Sequence, residues 1–239
     1  MNVSKTQCMF VGTSQYLSMI HNNVKIKCGN EEIKISSHVK ILGLYMDKHM
    51  TYSVHIDEIS RKVSGILMYL SRIKDNFEDS TRIMIIQSLV LSVINYCIKL
   101  WGAANDLYLN KAQKLVNFAA RVAVVGVKKY DHISPTLQQL QWLKIKDKYA
   151  YEVCMFVYKV LKREYPSWLY NFPSVGSYRE TSTRQNNNLQ VTRYRTDLGS
   201  RSMLIRSPSQ WNSLPQDVKD CSGFSVFKKK LKHHFLNRL

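Results

Sequence analysis

The clearest helical signal in the chain is the stretch SVHIDEISRKVSGILMYLSRIK, residues 53–74. Its apolar residues recur at steps of three and four, which places them in one stripe along a helix; they are Ile56, Ile59, Val63, Ile66, Leu67, Leu70 and Ile73. The other side carries basic residues, namely Arg61, Lys62, Arg72 and Lys74. The pattern predicts an amphipathic helix with a basic outer face.

Helical periodicity continues on the C-terminal side of this stretch. It predicts helices over residues 79–101, 107–125, 147–163 and 225–239, with a short helix after Pro135. The most apolar run, residues 83–100, is interrupted by Gln87, Asn95 and Lys99. Because it falls short of the ~20 apolar residues that a membrane span needs, it predicts a buried helix and no membrane partner.

Strand signals dominate the first fifty residues instead. Residues 24–27 and 32–35 alternate with period two around Gly29-Asn30, which predicts a hairpin. A third strand is predicted over residues 39–44 and a helical turn over residues 16–21. The fold class predicted is therefore α+β, mainly α: a short N-terminal β-hairpin or sheet, then a helical bundle, then C-terminal helices.

Changes in composition divide the chain into four segments. Residues 1–50 are β-rich and residues 51–165 are helical. Residues 166–208 are polar without a sustained period, which predicts an irregular linker. Residues 209–239 are helical again, and they form the predicted C-terminal segment.

The charge of the chain is strongly positive and unevenly distributed. Its 239 residues include 35 Lys and Arg against 17 Asp and Glu, a net charge of +18, of which +14 falls on residues 101–239. Clustered cations gain free energy by releasing counterions from phosphates, so a polyanion such as nucleic acid is the favoured partner. A solvated basic surface is the alternative that composition leaves open. The 45% apolar content excludes a disordered polymer.

The cysteines do not indicate a metal site. Cys8, Cys28, Cys97, Cys154 and Cys221 are odd in number, lie far apart and include no CxxC pair, whereas structural zinc sites use closely spaced ligands. We therefore predict no metal. Free thiols in apolar stretches and the absence of a secretory signal predict an intracellular location, cytoplasmic or nuclear.

The search for catalytic carboxylates finds no Asp-Asp pair. Tyr45-Met46-Asp47-Lys48 superficially resembles the Tyr-x-Asp-Asp signature of reverse transcriptases, but Lys48 would repel a cation. Composition and single motifs alone therefore indicate a basic α+β protein that binds nucleic acid.

A series of short motifs in a fixed order covers nearly the whole chain. The motifs are Asn2-Val3-Ser4-Lys5-Thr6, residues 39–47, residues 51–56, Asn95-Tyr96, Leu100-Trp101-Gly102, residues 112–121, Leu140-Gln141-Trp142-Leu143, Arg201-Ser202, Trp211-Asn212-Ser213-Leu214-Pro215 and residues 227–232. Together they resemble the C-terminal part of reverse transcriptases from non-LTR (LINE-type, jockey-like) retrotransposons. The Trp-Asn-x-Leu-Pro motif, followed by residues 222–228, is the most telling part.

This resemblance implies a fragment of an RNA-directed DNA polymerase. Residues 1–50 would be the end of the palm and a primer-grip-like hairpin, and residues 51–165 the thumb and following helices. The fingers, the palm with its catalytic aspartates and an endonuclease domain would precede this chain, and these missing palm, fingers and endonuclease parts are its possible protein partners. Mg²⁺ is thus expected for the full-length enzyme and no cofactor for this chain, which is predicted to bind RNA or an RNA–DNA duplex without polymerising alone.

The resemblance also implies roles for individual cations. Lys5 would be a general acid that protonates the leaving pyrophosphate; the alternative is a solvated lysine. Duplex phosphates would be contacted by Arg61, Lys62, Arg72 and Lys74, unless these pair with Asp57, Glu58 and Asp75 at helical spacing. A second basic zone contains Arg121, Lys128, Lys129, Lys144, Lys146 and Lys148.

Two further alternatives remain open on the sequence. Trp142 and Trp211 would stack on bases or, as is more typical of large aromatics at helical spacing, lie in the core. The whole chain would be a polymerase fragment or a non-enzymatic basic scaffold, a retained remnant with an interaction role.

Overall fold

The computed structural model describes residues 6–21, 24–29, 31–166 and 188–239, and its fold is α+β and mainly α, as predicted. Helix α1 (Ser14–His21) is followed by strands β1 (Ile26–Cys28) and β2 (Glu31–Ile33), which pair antiparallel. The predicted helical turn and the predicted first hairpin are thereby confirmed.

The predicted third strand is in fact a second hairpin. Strand β3 (His38–Ile41) pairs antiparallel with β4 (Leu44–Asp47), and the chain reverses at Leu42-Gly43. The φ angles of Leu42 and Gly43 are 48° and 90°, and positive φ at both central residues is what a tight hairpin turn requires. Leu42 is an unusual residue for this position, which is why the turn leaves little signal in the sequence.

Helix α2 (Ser53–Ile73) forms over the predicted stretch and buries most of the predicted apolar stripe, with Ile66 and Ile73 half-buried. Its start is set by Asp47, at the end of β4. The Asp47 carboxylate accepts hydrogen bonds from the backbone N–H groups of His49 and Thr51, each at 3.1 Å, and of Tyr52 at 2.6 Å. Because Asp47 is itself buried, this cluster ties the hairpin firmly to the helix.

The helix predicted over residues 79–101 is interrupted. Helix α3 (Asp79–Ile86) continues through a π-helical turn at Gln87–Leu91 into α4 (Ser92–Asn95). The chain then breaks at Cys97, whose φ is 53°, before α5 (Ile98–Trp101). The break directs Trp101 fully into the core, where its indole Nε1–H donates to the Tyr96 carbonyl at 2.9 Å.

The C-terminal half is a succession of helices. These are α6 (Asp106–Ala123), α7 (Ser134–Gln139), α8 (Ile145–Leu161), α9 (Asp197–Ser200), α10 (Met203–Asn212), α11 (Gln216–Lys219) and α12 (Phe224–Leu236). Helix α10 begins inside the segment predicted to be an irregular linker, so that boundary at residue 209 is wrong. Pro208 within α10 hid the helix from the sequence pattern. Residues 167–187 of the predicted linker lie outside the described residues.

One cluster of buried apolar side chains extends from Leu44 to Phe235. Helix α2 packs on α6, and α8 packs on both α10 and α12. The C-terminal helices therefore belong to the same core as the predicted thumb-like helix. Among the described helices, none is both long enough and apolar enough to cross a bilayer.

Candidate nucleic-acid interface

The predicted cations of α2 point in different directions. Arg61 and Lys62 line a groove of about 610 Å³ between α2 and the second hairpin, together with Lys40. Arg72 is exposed and does not line this groove, and Lys74 lies at the other end of the helix. The structure thus brings only Arg61 and Lys62 of this set together.

Part of the groove's positive charge is neutralised. Arg61 donates to the Glu58 carboxylate at 2.6 Å, and this carboxylate raises the pKa of the Arg61 guanidinium. Both side chains are largely exposed, so water competes for the pair. The alternative of pairing at helical spacing therefore holds for Arg61. Asp57 pairs instead with Lys111 of α6, at 2.5 Å.

His55 forms part of the wall of this groove and is uncharged at neutral pH. Its ring is buried against Trp101, with the ring centroids 6.3 Å apart, and burial lowers the pKa of His55 to about 4. Its Nε2 has no hydrogen-bond partner among the described residues. A buried, neutral imidazole is the consequence, and it forms part of the wall between α2 and the hairpin.

A second concave surface joins the two predicted basic zones. Lys74 at the end of α2, Arg121 of α6 and Lys129 of the following loop line it together, with a volume of about 550 Å³. Lys114 of α6 also lines this surface, one helical turn before Asn117 and Phe118. The sequence prediction omitted it. Among the described residues, no acidic side chain lines this concavity. We call it the α2–α6 concavity.

Arg121 shapes the α2–α6 concavity in a way that the sequence did not predict. Its guanidinium donates to the carbonyl oxygens of Asn117, Lys128 and Asp131, at 3.3, 3.1 and 3.1 Å. The Lys128 backbone N–H donates to the Asp131 carboxylate at 2.7 Å. Arg121 therefore holds the loop in place while its charge stays in the concavity, whereas the Lys128 side chain does not line it.

The remaining predicted cations lie apart and are engaged with other groups. Lys144 Nζ donates to the Leu239 carbonyl at 3.2 Å. Lys146 pairs with Asp106 and Lys148 with Glu152, each at 2.7 Å. None of the three lines the α2–α6 concavity. The second basic zone predicted from the sequence is therefore not a single surface.

Arg82 is a buried cation that charge patterning did not single out. Its guanidinium donates to the carbonyl oxygens of Ala123, Lys74 and Phe77, at 2.8, 2.9 and 2.9 Å, and to the Asp79 carboxylate. In the sequence, the pair at positions 79 and 82 resembles an exposed ion pair on one helix. In the fold, Arg82 joins the ends of α2 and α6 to the start of α3, and so fixes the backbone beside the concavity.

Several of the motif residues have structural roles. Trp142 and Trp211 are only 6% and 4% exposed, so the interpretation that they lie in the core is confirmed. Asn212 forms two hydrogen bonds of 2.8 Å with the backbone N–H and C=O of Leu189. Gly102 leaves no room for a side chain, because an added Cβ would lie 2.5 Å from the Ile98 carbonyl oxygen and from the Tyr149 ring.

Two of the predicted features concern chemistry. Lys5 lies outside the described residues. Within the described ranges, no three His, Cys, Asp or Glu side chains come together where they could hold a metal ion.

The sequence matches no protein-family model, no curated protein and no solved structure.

Proposed function

We propose that the chain is the C-terminal part of a non-LTR retrotransposon reverse transcriptase and that it binds the phosphates of RNA or an RNA–DNA duplex at the α2–α6 concavity. The observation that carries the binding proposal is the composition of this surface. Lys74, Lys114, Arg121 and Lys129 line it, and no described acidic side chain does. The ordered motif series is what supports the family.

The mode of binding follows from the side chains available. Lysine ammonium groups contact phosphates as point charges and release counterions, which gives affinity that is insensitive to sequence and sensitive to salt. The described lining includes apolar Phe118, Val122 and Val127 beside these cations, and Phe118, the aromatic residue among the described lining, is half-buried and not exposed for stacking on a single strand. A duplex recognised by its backbone is therefore the substrate class that fits best.

The polymerase chemistry is assigned to other parts of the enzyme. The family that the sequence resembles uses Mg²⁺ held by aspartates, and the described residues bring no such donor set together. We therefore assign no metal-dependent step to them. The palm, fingers and endonuclease parts are the proposed protein partners, and a primer-extension assay with Mg²⁺ tests this division: template-dependent synthesis by this chain alone would contradict it.

Fluorescence anisotropy with a labelled RNA–DNA duplex tests the binding site. A Lys114→Gln/Lys129→Gln double variant is compared with Lys111→Gln/Lys146→Gln, which removes equal charge from exposed lysines paired with aspartates. We expect the first pair alone to weaken binding strongly and to reduce the slope of log K against log salt by about 2, one per phosphate contact.

Two results would overturn the proposal. Equal losses for the two double variants would mean that net charge matters and the concavity does not. Negligible binding of the unaltered chain at any salt concentration would favour the non-enzymatic scaffold, whose partner would then be another macromolecule.

A further inference from the structure

A small cavity lies where α8 and α12 meet the segment after α7, apart from the α2–α6 concavity. Its volume is about 240 Å³. The apolar side chains of Leu91, Val116 and Leu143 form part of its wall, together with the indole of Trp142. Trp142 is buried, and its Nε1–H has no acceptor among the described residues. The lining on this side of the cavity is therefore apolar and aromatic, a surface against which a flat aromatic group can pack.

Three lysines line the same cavity. Lys228 and Lys232 lie one turn apart on α12, and Lys148 reaches it from α8. Lys148 is paired with Glu152 at 2.7 Å, and Lys232 donates to Gln141 Oε1 at 3.2 Å. Lys228 has no ion-pair partner among the described residues. The cavity therefore has an excess of positive charge beside an apolar wall.

The four lysines of helix α12 have different surroundings; they are Lys228, Lys229, Lys230 and Lys232. Lys230 donates to the Asp217 carbonyl at 3.1 Å and lies 4.0 Å from its carboxylate. Lys229 is exposed and does not line the cavity. Only Lys228 and Lys232 of the run reach the cavity, because residues four apart share one side of a helix. The neighbouring Lys229 consequently serves as a natural control position.

We propose that this cavity binds a phosphate monoester carried by a flat aromatic group, of which a nucleoside monophosphate is an example. Lys228 and Lys232 bind the phosphate by charge-assisted hydrogen bonds, and the aromatic group lies against Leu91, Leu143 and Trp142. The volume falls below the ~300–1,000 Å³ typical of pockets for drug-sized ligands. The part of the ligand that the cavity encloses is therefore no larger than a single nucleotide.

Calorimetric titration of the full chain with AMP tests the proposal, with adenosine and inorganic phosphate as comparison ligands. We expect saturable binding of AMP and much weaker binding of both other compounds, since each has only one of the two recognised parts. Adenosine or inorganic phosphate binding as tightly as AMP would overturn the assignment of ligand class. Absence of AMP binding would overturn the proposal as a whole.

Matched lysine variants locate the site. We expect Lys228→Gln/Lys232→Gln to weaken AMP binding by at least about tenfold, because two charge-assisted hydrogen bonds are lost, while Lys229→Gln leaves it unchanged. The Lys114→Gln/Lys129→Gln variant should also bind AMP normally, which separates this cavity from the proposed duplex site. Equal affinity of the Lys228/Lys232 and Lys229 variants would place the ligand elsewhere.

Discussion

Replacing Arg82 with methionine should destabilise the protein more than any change of an exposed cation. The side chain of Arg82 is only 4% exposed, and its guanidinium bonds three backbone carbonyl oxygens, those of Lys74 and Phe77 in the turn after α2 and that of Ala123 at the end of α6. Methionine keeps most of the apolar stem but has no donor. The three carbonyl oxygens would therefore lose a shared partner where water has little access.

The expected loss can be bounded from these contacts. A hydrogen bond from a charged group contributes about 1.5–3 kcal/mol net, and each buried acceptor left without a partner costs about 1–3 kcal/mol, whereas the Asp79 side chain is 77% exposed and water can replace its partner. Arg82→Met also removes the cost of burying the guanidinium. We therefore expect a loss near the lower end, about 3 kcal/mol, out of the about 5–15 kcal/mol typical of a domain.

Urea unfolding followed by circular dichroism measures this difference. The matched control is Arg61→Met, which makes the same substitution at an exposed arginine paired with the partly exposed Glu58; its cost should be much smaller, because water screens this pair. Arg82→Lys should be intermediate, because an ammonium group cannot reach all three carbonyl oxygens. If Arg82→Met and Arg61→Met shift the midpoint equally, Arg82 does not join the three segments in solution.

Three further outcomes are expected. Asn212→Leu should cost about 1–2 kcal/mol in urea unfolding and speed amide exchange at Leu189, which Asn212 bonds twice; unchanged exchange would contradict this. Burial lowers the pKa of His55 to about 4, so its stabilising contribution is present above pH 6.5 and is lost as the pH falls through about 4, and His55→Leu should flatten urea midpoints over that range. Burial raises the pKa of Cys154 to about 12, so iodoacetamide should label it only after unfolding; alkylated Cys154 found by mass spectrometry in the native protein would contradict this.

Periodicity predicted the fold wherever one helix face alone determines the structure. Helix α2 is the example, because its stripe from Ile56 to Leu70 is buried on one side of the helix, against α6, β4 and α4. The second hairpin escaped prediction because a leucine, Leu42, occupies a position with positive φ. Gly43 alone, preceded by leucine in place of Asn, Asp or Gly, is a weak turn signal, so the two strands look like one.

The candidate sites were harder to predict, because a sequence does not show which charges meet. Lys114 belongs to no charge run, yet it lines the same concavity as Lys74 and Lys129. Lys146 lies in a basic run, yet Asp106 neutralises it. Such pairings depend on contacts between residues far apart in the chain, and helical spacing carries no information about them.

The interlocking of α8 with α12 has a consequence for synthesis on the ribosome. Tyr158 of α8 stacks on Phe227, with ring centroids 4.2 Å apart, and its hydroxyl donates to the Cys221 carbonyl at 3.1 Å. At ~5–20 residues per second, Phe235 follows Leu161 by about 4–15 s. During that interval the side of α8 that packs on α12 lacks this partner, although α5 and α6 are already made. The nascent chain therefore presents to chaperones a surface that the finished protein encloses.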